Sequence, residues 1–135
     1  MTKAREAALA VLRDAAEPLS AADLLEDLAL PCDQATVYRT LRWLEERDLA
    51  ESFALHCEEH GTERYYVKSA ASHRHWFHCE CCHRFIDLGA CRIEGLSAEL
   101  ERDLGVRVKR HILYFIGRCA RCGGKADLAE GAARA

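Results

Sequence analysis

The 135-residue chain has no apolar run near the roughly 18 residues that a membrane-spanning helix requires, so no such helix is expected. It also lacks net positive charge: 19 Lys and Arg stand against 22 Asp and Glu, for a balance of −3. The first fifty residues are more acidic still, with 6 basic and 10 acidic side chains, or 6 − 10 = −4. Any attraction to a polyanion must therefore come from a local basic face and not from bulk charge. Proline is scarce, and both examples, Pro18 and Pro31, fall where helical patterns stop. No internal repeat or long low-complexity segment is present. The N-terminus, Met1-Thr-Lys-Ala-Arg5, runs into an amphipathic pattern without the apolar stretch of a signal peptide, and a cytoplasmic location is the expectation.

What the chain does have is cysteine, eight in all. In a reducing compartment that number argues for metal ligation and against disulfides. Two pairs of identical spacing, Cys79-Glu-Cys-Cys82 and Cys119-Ala-Arg-Cys122, lie forty residues apart. Each short loop turns two sulfurs toward one point, and two such knuckles suit a tetrahedral Zn²⁺. Cys79, Cys82, Cys119 and Cys122 are thus expected to form a structural zinc site. A thioredoxin-like redox use would need a βαβ context that the pattern does not supply. Cys32, Cys57, Cys81 and Cys91 are read as small buried hydrophobes or free thiols, with Cys79-Glu-Cys81 an alternative ligand pair.

Periodicity predicts three helices in the first fifty residues. The first covers residues 3–15, with Ala8, Leu9, Val11 and Leu12 as its apolar stripe. Ser20 caps a second that aligns Leu24, Leu25 and Leu28, and Asp33 caps a third over residues 34–47. In the third helix Val37, Leu41 and Leu44 face the core, leaving Arg39 and Arg42 outside with Thr36, Tyr38 and Thr40 on the flanks. A short helix, a tight turn and a helix exposing Arg, Tyr and Thr is helix-turn-helix grammar. Two strands follow, residues 50–55 and 64–67, joined by a polar loop over 56–63 and completing a winged helix. Residues 69–72 read as a hinge. Beyond them come strands at 76–78 and 85–88, a helix at 93–104 and a strand at 107–116. Ile93, Leu96, Leu100 and Leu104 form the expected buried stripe of that helix. The Ala-rich segment 124–135 is expected to be a frayed tail.

The stretch Ala35-Thr-Val-Tyr-Arg-Thr-Leu41 resembles the recognition helix of the Fur family of metal-dependent bacterial repressors. His73-x-His75-x-x-x-Cys79-x-x-Cys82, then His111 and Cys119-x-x-Cys122, resemble that family's metal-binding half. Within the family the chain is most similar to the zinc-responsive branch, Zur. The resemblance implies an α+β protein: an N-terminal winged-helix DNA-binding domain (1–68), then a small α/β dimerisation domain (73–123) with the four-cysteine zinc site. It implies a homodimer acting on double-stranded DNA at an inverted-repeat operator, with no membrane partner and no enzymatic activity. An enzyme built on zinc would need an open coordination position and a general base, and a four-cysteine site is closed.

The same resemblance implies a regulatory metal site. His73 and His75 match a His-x-His/Asp pair, Glu94 a carboxylate at a helix start, and His111 a histidine of the last strand. Three imidazoles and a carboxylate form a borderline set suited to Zn²⁺, Fe²⁺ or Mn²⁺; a second divalent metal, zinc, is the expected corepressor. His73 and His75, two apart, project to the same side of an extended segment. The family's other, interdomain site is degraded here, with Pro18, Arg74 and Trp76 at ligand positions. Glu51 matches one acidic ligand, and a replacement from His56, Cys57 or His60 with His75 or His78 is one reading; solvated loop residues are the other. Arg39 and Tyr38 are the foremost DNA contacts, assisted by Thr36, Thr40 and Arg42. The alternatives are an iron, manganese or peroxide sensor of the same family, and a zinc-ribbon interaction module without DNA binding.

Overall fold

The computed structural model describes residues 1–123, so the expected tail at 124–135 lies outside the described residues. The described residues divide into two compact units, the boundary falling between Ala71 and Ser72.

In the first unit, helix α1 (Lys3–Asp14) starts where the Thr2 hydroxyl accepts from the Arg5 amide at 3.2 Å. It ends at Ala15, whose extended backbone leads into Glu17-Pro18. Strand β1 (Leu19–Ser20) runs directly into α2 (Ala21–Asp27). Ser20 and Asp23 form a reciprocal capping box there, at 3.1 and 3.0 Å. Helix α3 (Gln34–Glu46) is capped by Asp33, whose carboxylate accepts from the Thr36 amide at 2.7 Å. Ala8, Leu12, Leu24, Val37, Leu41 and Leu44 pack together with Ala21, Ala50 and Tyr66 as the core.

Strands β2 (Ala50–Cys57) and β3 (Gly61–Lys68) then pair antiparallel from Ala50↔Lys68 to Cys57↔Gly61. β1 adds to β3, giving the order β1-β3-β2. The hairpin is longer than hydropathy suggests, and its turn is only residues 58–60. One face of such a ladder is open to water, so it continues through polar residues that carry no hydrophobic signal.

In the second unit, β4 (Arg74–Cys79) is the central strand of the order β5-β4-β6. β5 (Phe85–Ala90) pairs with it antiparallel and β6 (Tyr114–Gly117) pairs parallel. A parallel neighbour requires a crossover, and α4 (Glu94–Leu104) with residues 105–113 provides it. Gly105 ends α4 at φ 68°, a left-handed cap that favours glycine.

Two expectations fail in this unit. The α4 stripe is not buried: Leu96, Leu100 and Leu104 are 50%, 39% and 67% exposed. Periodicity marks an apolar face but does not say what covers it, and among the described residues nothing does. The strand expected at 107–116 forms a ladder only from Tyr114, while Val106 and Ile112 are exposed. Alternation in this segment is therefore not accompanied by sheet pairing before Tyr114. No helix among the described residues is long and apolar enough to cross a membrane.

Candidate metal centres and the exposed face of α3

The four knuckle cysteines meet because of strand register. Cys79 closes β4 opposite Gly117 of the parallel strand β6, which delivers Cys119 two residues later. The knuckle is a tight turn, with the His83 amide donating to the Cys79 carbonyl at 2.8 Å and His83 itself at φ 63°. Cys119 precedes a short 3₁₀ turn (Ala120–Cys122) that swings Cys122 back. All four sulfurs lie within 4.8 Å of one another. Cys82 and Cys119 are 3.8 Å apart, and none of the eight cysteines is in a disulfide. Zinc–sulfur bonds of about 2.3 Å in a tetrahedron correspond to sulfur separations of about 3.8 Å, so the set fits Zn²⁺.

Cys79 is fully buried, which by itself opposes ionisation. Hydrogen bonds from the backbone amides of Cys82, Cys119 and Cys81 outweigh that burial and bring its thiol down to about 6. Cys81 is exposed and receives a contact from Arg118 at 3.7 Å, and it does not belong to the cluster. The alternative pair Cys79/Cys81 is therefore not the one the fold assembles.

A second cluster forms at the other end of β4. His73, His75, Cys91 and His111 bring four donor atoms within 4.8 Å of one another. His111 Nε2 lies 2.9 Å from His73 Nε2 and 3.0 Å from His75 Nε2. Cys91 Sγ stands 3.3 Å from the same His111 nitrogen. Strand order explains the meeting: His75 on β4 and His73 just before it lie between Cys91, which follows β5, and His111, which precedes β6. The Cys91 amide donates to the His73 carbonyl at 3.0 Å, extending the β4–β5 pairing by one step.

His75 is 8% exposed, and its Nδ1 lies 2.9 Å from the Leu113 carbonyl. A carbonyl only accepts, so Nδ1 carries the proton and Nε2 presents its lone pair. Burial, with His73 and His111 nearby, holds the His75 pKa below the usual histidine value, against an opposing effect of the Leu113 hydrogen bond. A neutral imidazole with a fixed tautomer is the ligand form of histidine. Tetrahedral Zn²⁺ with nitrogen and sulfur ligands separates its donors by about 3.3–3.6 Å, close to the spacing here.

The structure brings together three of the four expected regulatory residues. Glu94 is exposed at the start of α4, and its carboxylate is 3.9 Å from the Nδ1 of His73, away from the converging nitrogens. Cys91 completes the group of four neighbouring donors instead. The sequence marks it only as a cysteine; the signal that finds it is the β4–β5 register, in which Arg74 pairs with Ala90.

On α3, Tyr38 is 47% exposed and Arg39 and Arg42 are exposed. Arg39 donates to the half-buried Thr36 hydroxyl at 3.1 Å, and Arg42 pairs with Glu46 at 3.1 Å. Thr40 departs from expectation: it is 6% exposed, on the same stripe as Val37, Leu41 and Leu44 and not on the exposed flank of the helix. Arg5 and Arg47 place their guanidinium carbons 4.1 and 4.0 Å from the Trp43 ring, adding positive charge that the helical pattern did not reveal.

The remaining candidates divide between the units. On the hairpin, Glu51 and His56 are exposed, with His56 Nδ1 3.0 Å from the Thr62 hydroxyl. His60 is exposed beside Glu59 at 3.6 Å. Cys57 is buried at the end of β2, where a loop residue was expected. In the second unit His78 is buried on β4, its ring 4.6 Å from that of Phe85.

The sequence profile of the ferric uptake regulator family matches residues 1–116. A ferric uptake regulation protein of Bacillus subtilis is 33% identical over 131 residues, spanning 93% of this chain and 86% of its own length. The solved ferric uptake regulator of Helicobacter pylori has a TM-score of 0.71 at 22% identity, over 91% of this chain and 81% of its own. A zinc uptake regulator solved with zinc and DNA has a TM-score of 0.64 at 22% identity, over 94% of this chain and 85% of its own. At such identities the structural likeness is one of fold, whereas the sequence matches carry descent. The chain thus belongs to the ferric uptake regulator family, whose members are metal-responsive, DNA-binding transcriptional regulators and not enzymes.

Proposed function

We propose that this chain is a cytoplasmic, homodimeric repressor that binds an inverted-repeat operator when zinc is available and so controls metal-uptake genes. The observation that carries this reading is the imidazole cluster of His73, His75 and His111, separate from the four-cysteine set. A protein that needed metal only for folding has no use for a second set of donors two residues past the Ala71–Ser72 boundary.

In this reading Cys79, Cys82, Cys119 and Cys122 hold a structural Zn²⁺ that ties β4 to the end of β6. The three imidazoles hold the corepressor, a second divalent metal, zinc. Bringing His73, His75 and His111 to one centre joins the entry of β4 to the segment before β6 and restrains the start of the second unit. The first unit acts as a winged helix, with α3 as the reading helix and the β2–β3 hairpin as the wing. Arg39 and Tyr38 contact bases or backbone, and Thr36 and Arg42 support them. The exposed apolar face of α4 supports a homodimer, since apolar side chains left in water along one helix face mark an association surface; Phe115 and Ile116 of β6 are exposed as well. A dimer would present two α3 helices to successive major grooves, about 34 Å apart.

If loading tightens operator binding ~100-fold, the coupling is roughly 2.7 kcal/mol, and the operator tightens metal binding equally. Gel shifts on an inverted-repeat operator with and without chelator test this. Metal-dependent retention is expected, and equal retention in both would overturn the corepressor reading. The ferric uptake name of the Bacillus subtilis relative favours iron as a second reading. Separate titrations of operator binding with Zn²⁺, Fe²⁺ and Mn²⁺ distinguish the two.

A further inference from the structure

We infer that Cys91, and not Glu94, supplies the anionic fourth ligand of the imidazole cluster, and that its sulfur turns the site toward Zn²⁺ and away from Fe²⁺ and Mn²⁺. The inference rests on reading that cluster as a metal site.

Three observations carry it. First, Cys91 Sγ and the Nε2 atoms of His73 and His75 all surround His111 Nε2, at 3.3, 2.9 and 3.0 Å. Four donors facing one point is the arrangement of a tetrahedral site. Second, the Glu94 carboxylate lies against the other ring nitrogen of His73, at 3.9 Å from Nδ1. The two nitrogens of an imidazole point in diverging directions, so a group at Nδ1 does not share a cation held on Nε2. It stands instead within ion-pair range of Nδ1, on the side from which outer-shell carboxylates orient metal-binding histidines. Glu94 is accordingly absent from the donor set whose atoms lie within 4.8 Å of one another. Third, Cys91 is held in position from both sides. Its amide donates to the His73 carbonyl at 3.0 Å, and its sulfur accepts from the Ile93 amide at 3.4 Å.

The consequence is chemical. A carboxylate ligand suits Mn²⁺ and other hard cations, whereas thiolate favours zinc and softer ions. Exchanging the one for the other leaves the site's charge unchanged and changes its preference. Glu94 becomes a positioning residue acting through His73.

Cobalt provides the test, because a cobalt–thiolate bond gives a near-ultraviolet charge-transfer absorption that nitrogen and oxygen ligands do not. The full chain, purified with its four-cysteine site filled by zinc, is titrated with Co²⁺. Further uptake should bring the charge-transfer band together with the visible bands of tetrahedral cobalt. Cys91→Ala should lose the charge-transfer band and keep weakened visible bands. Glu94→Gln should keep both and lose cobalt affinity by about 10- to 100-fold. Cobalt uptake that His111→Ala abolishes but that shows no sulfur band in the unmodified chain would overturn the Cys91 assignment and leave the site standing. No uptake beyond the four-cysteine site would overturn the reading of the cluster itself. Cys91→Asp should narrow the preference for Zn²⁺ over Mn²⁺, measured by competition with a metal indicator; an unchanged ratio would overturn the selectivity.

Discussion

The two donor clusters occupy opposite ends of one strand, β4, yet they are built on different principles. The four-cysteine set is all sulfur, closes on itself through two tight turns and has Cys79 fully buried. The imidazole set draws on four separate backbone positions, and its members are held by strand neighbours and not by a turn of their own. Each knuckle pair is local and forms where its own loop folds, and only the meeting of the two pairs depends on the β4–β6 register. A site spread over His73, His75, Cys91 and His111 exists only when the sheet order β5-β4-β6 is in place. The first arrangement suits a permanent clamp. The second suits a reversible one, because its filling and the order of its segments depend on each other.

The largest expected effect comes from breaking the clamp. Structural zinc contributes on the order of 10 kcal/mol in small metal domains. Cys119→Ser should therefore unfold the second unit or abolish dimers, read by circular dichroism and sedimentation; a folded dimer without zinc would end the distinction between the clusters. Next comes the reversible site. His73→Ala combined with His111→Ala should abolish metal-dependent operator binding while metal analysis still finds a tightly held zinc on each chain. Loss of both metals together would mean the two clusters act as one.

Leu96→Glu with Leu100→Glu addresses whether either cluster needs the partner. It should shift the protein toward monomer while changing the stability of each chain only slightly, about 0.5 kcal/mol per exposed site. Both metals should remain, since all eight donors come from one chain. Metal loss alongside dissociation would show that the sites depend on association. A smaller effect separates DNA contact from metal sensing. Arg39→Ala should weaken operator binding by about 1–3 kcal/mol in the metal-loaded protein and leave metal stoichiometry unchanged. Thr40→Ser, at a buried position on the core stripe of α3, should leave operator specificity unaltered; a changed base preference would return Thr40 to the contact surface.

How much of this was legible depends on how local the determinants are. The caps at Ser20 and Asp33 and the stripe of Val37, Leu41 and Leu44 follow from spacing within a few residues, and the structure has them where periodicity puts them. The four knuckle cysteines were legible for the same reason. Thr40 lies three residues after Val37 and four before Leu44, inside the core stripe, but a threonine carries no apolar signal to mark it there. The hairpin was shortened because polar residues continue a ladder as well as apolar ones. Leu96, Leu100 and Leu104 were expected inside because periodicity reports an apolar face and not its cover.

The sequence by itself determined the helices, their caps, the four-cysteine set and the presence of His73 and His75 on one side of an extended segment. Only the tertiary structure decided what completes their site. Strand order set Cys91 on one side and His111 on the other, and left Glu94 against the far nitrogen of His73. Spacing along a chain fixes which side chains share a face over a turn or a strand. Which residues meet across a sheet is set by strand order and register, and these depend on hydrogen bonds between segments that are remote in sequence.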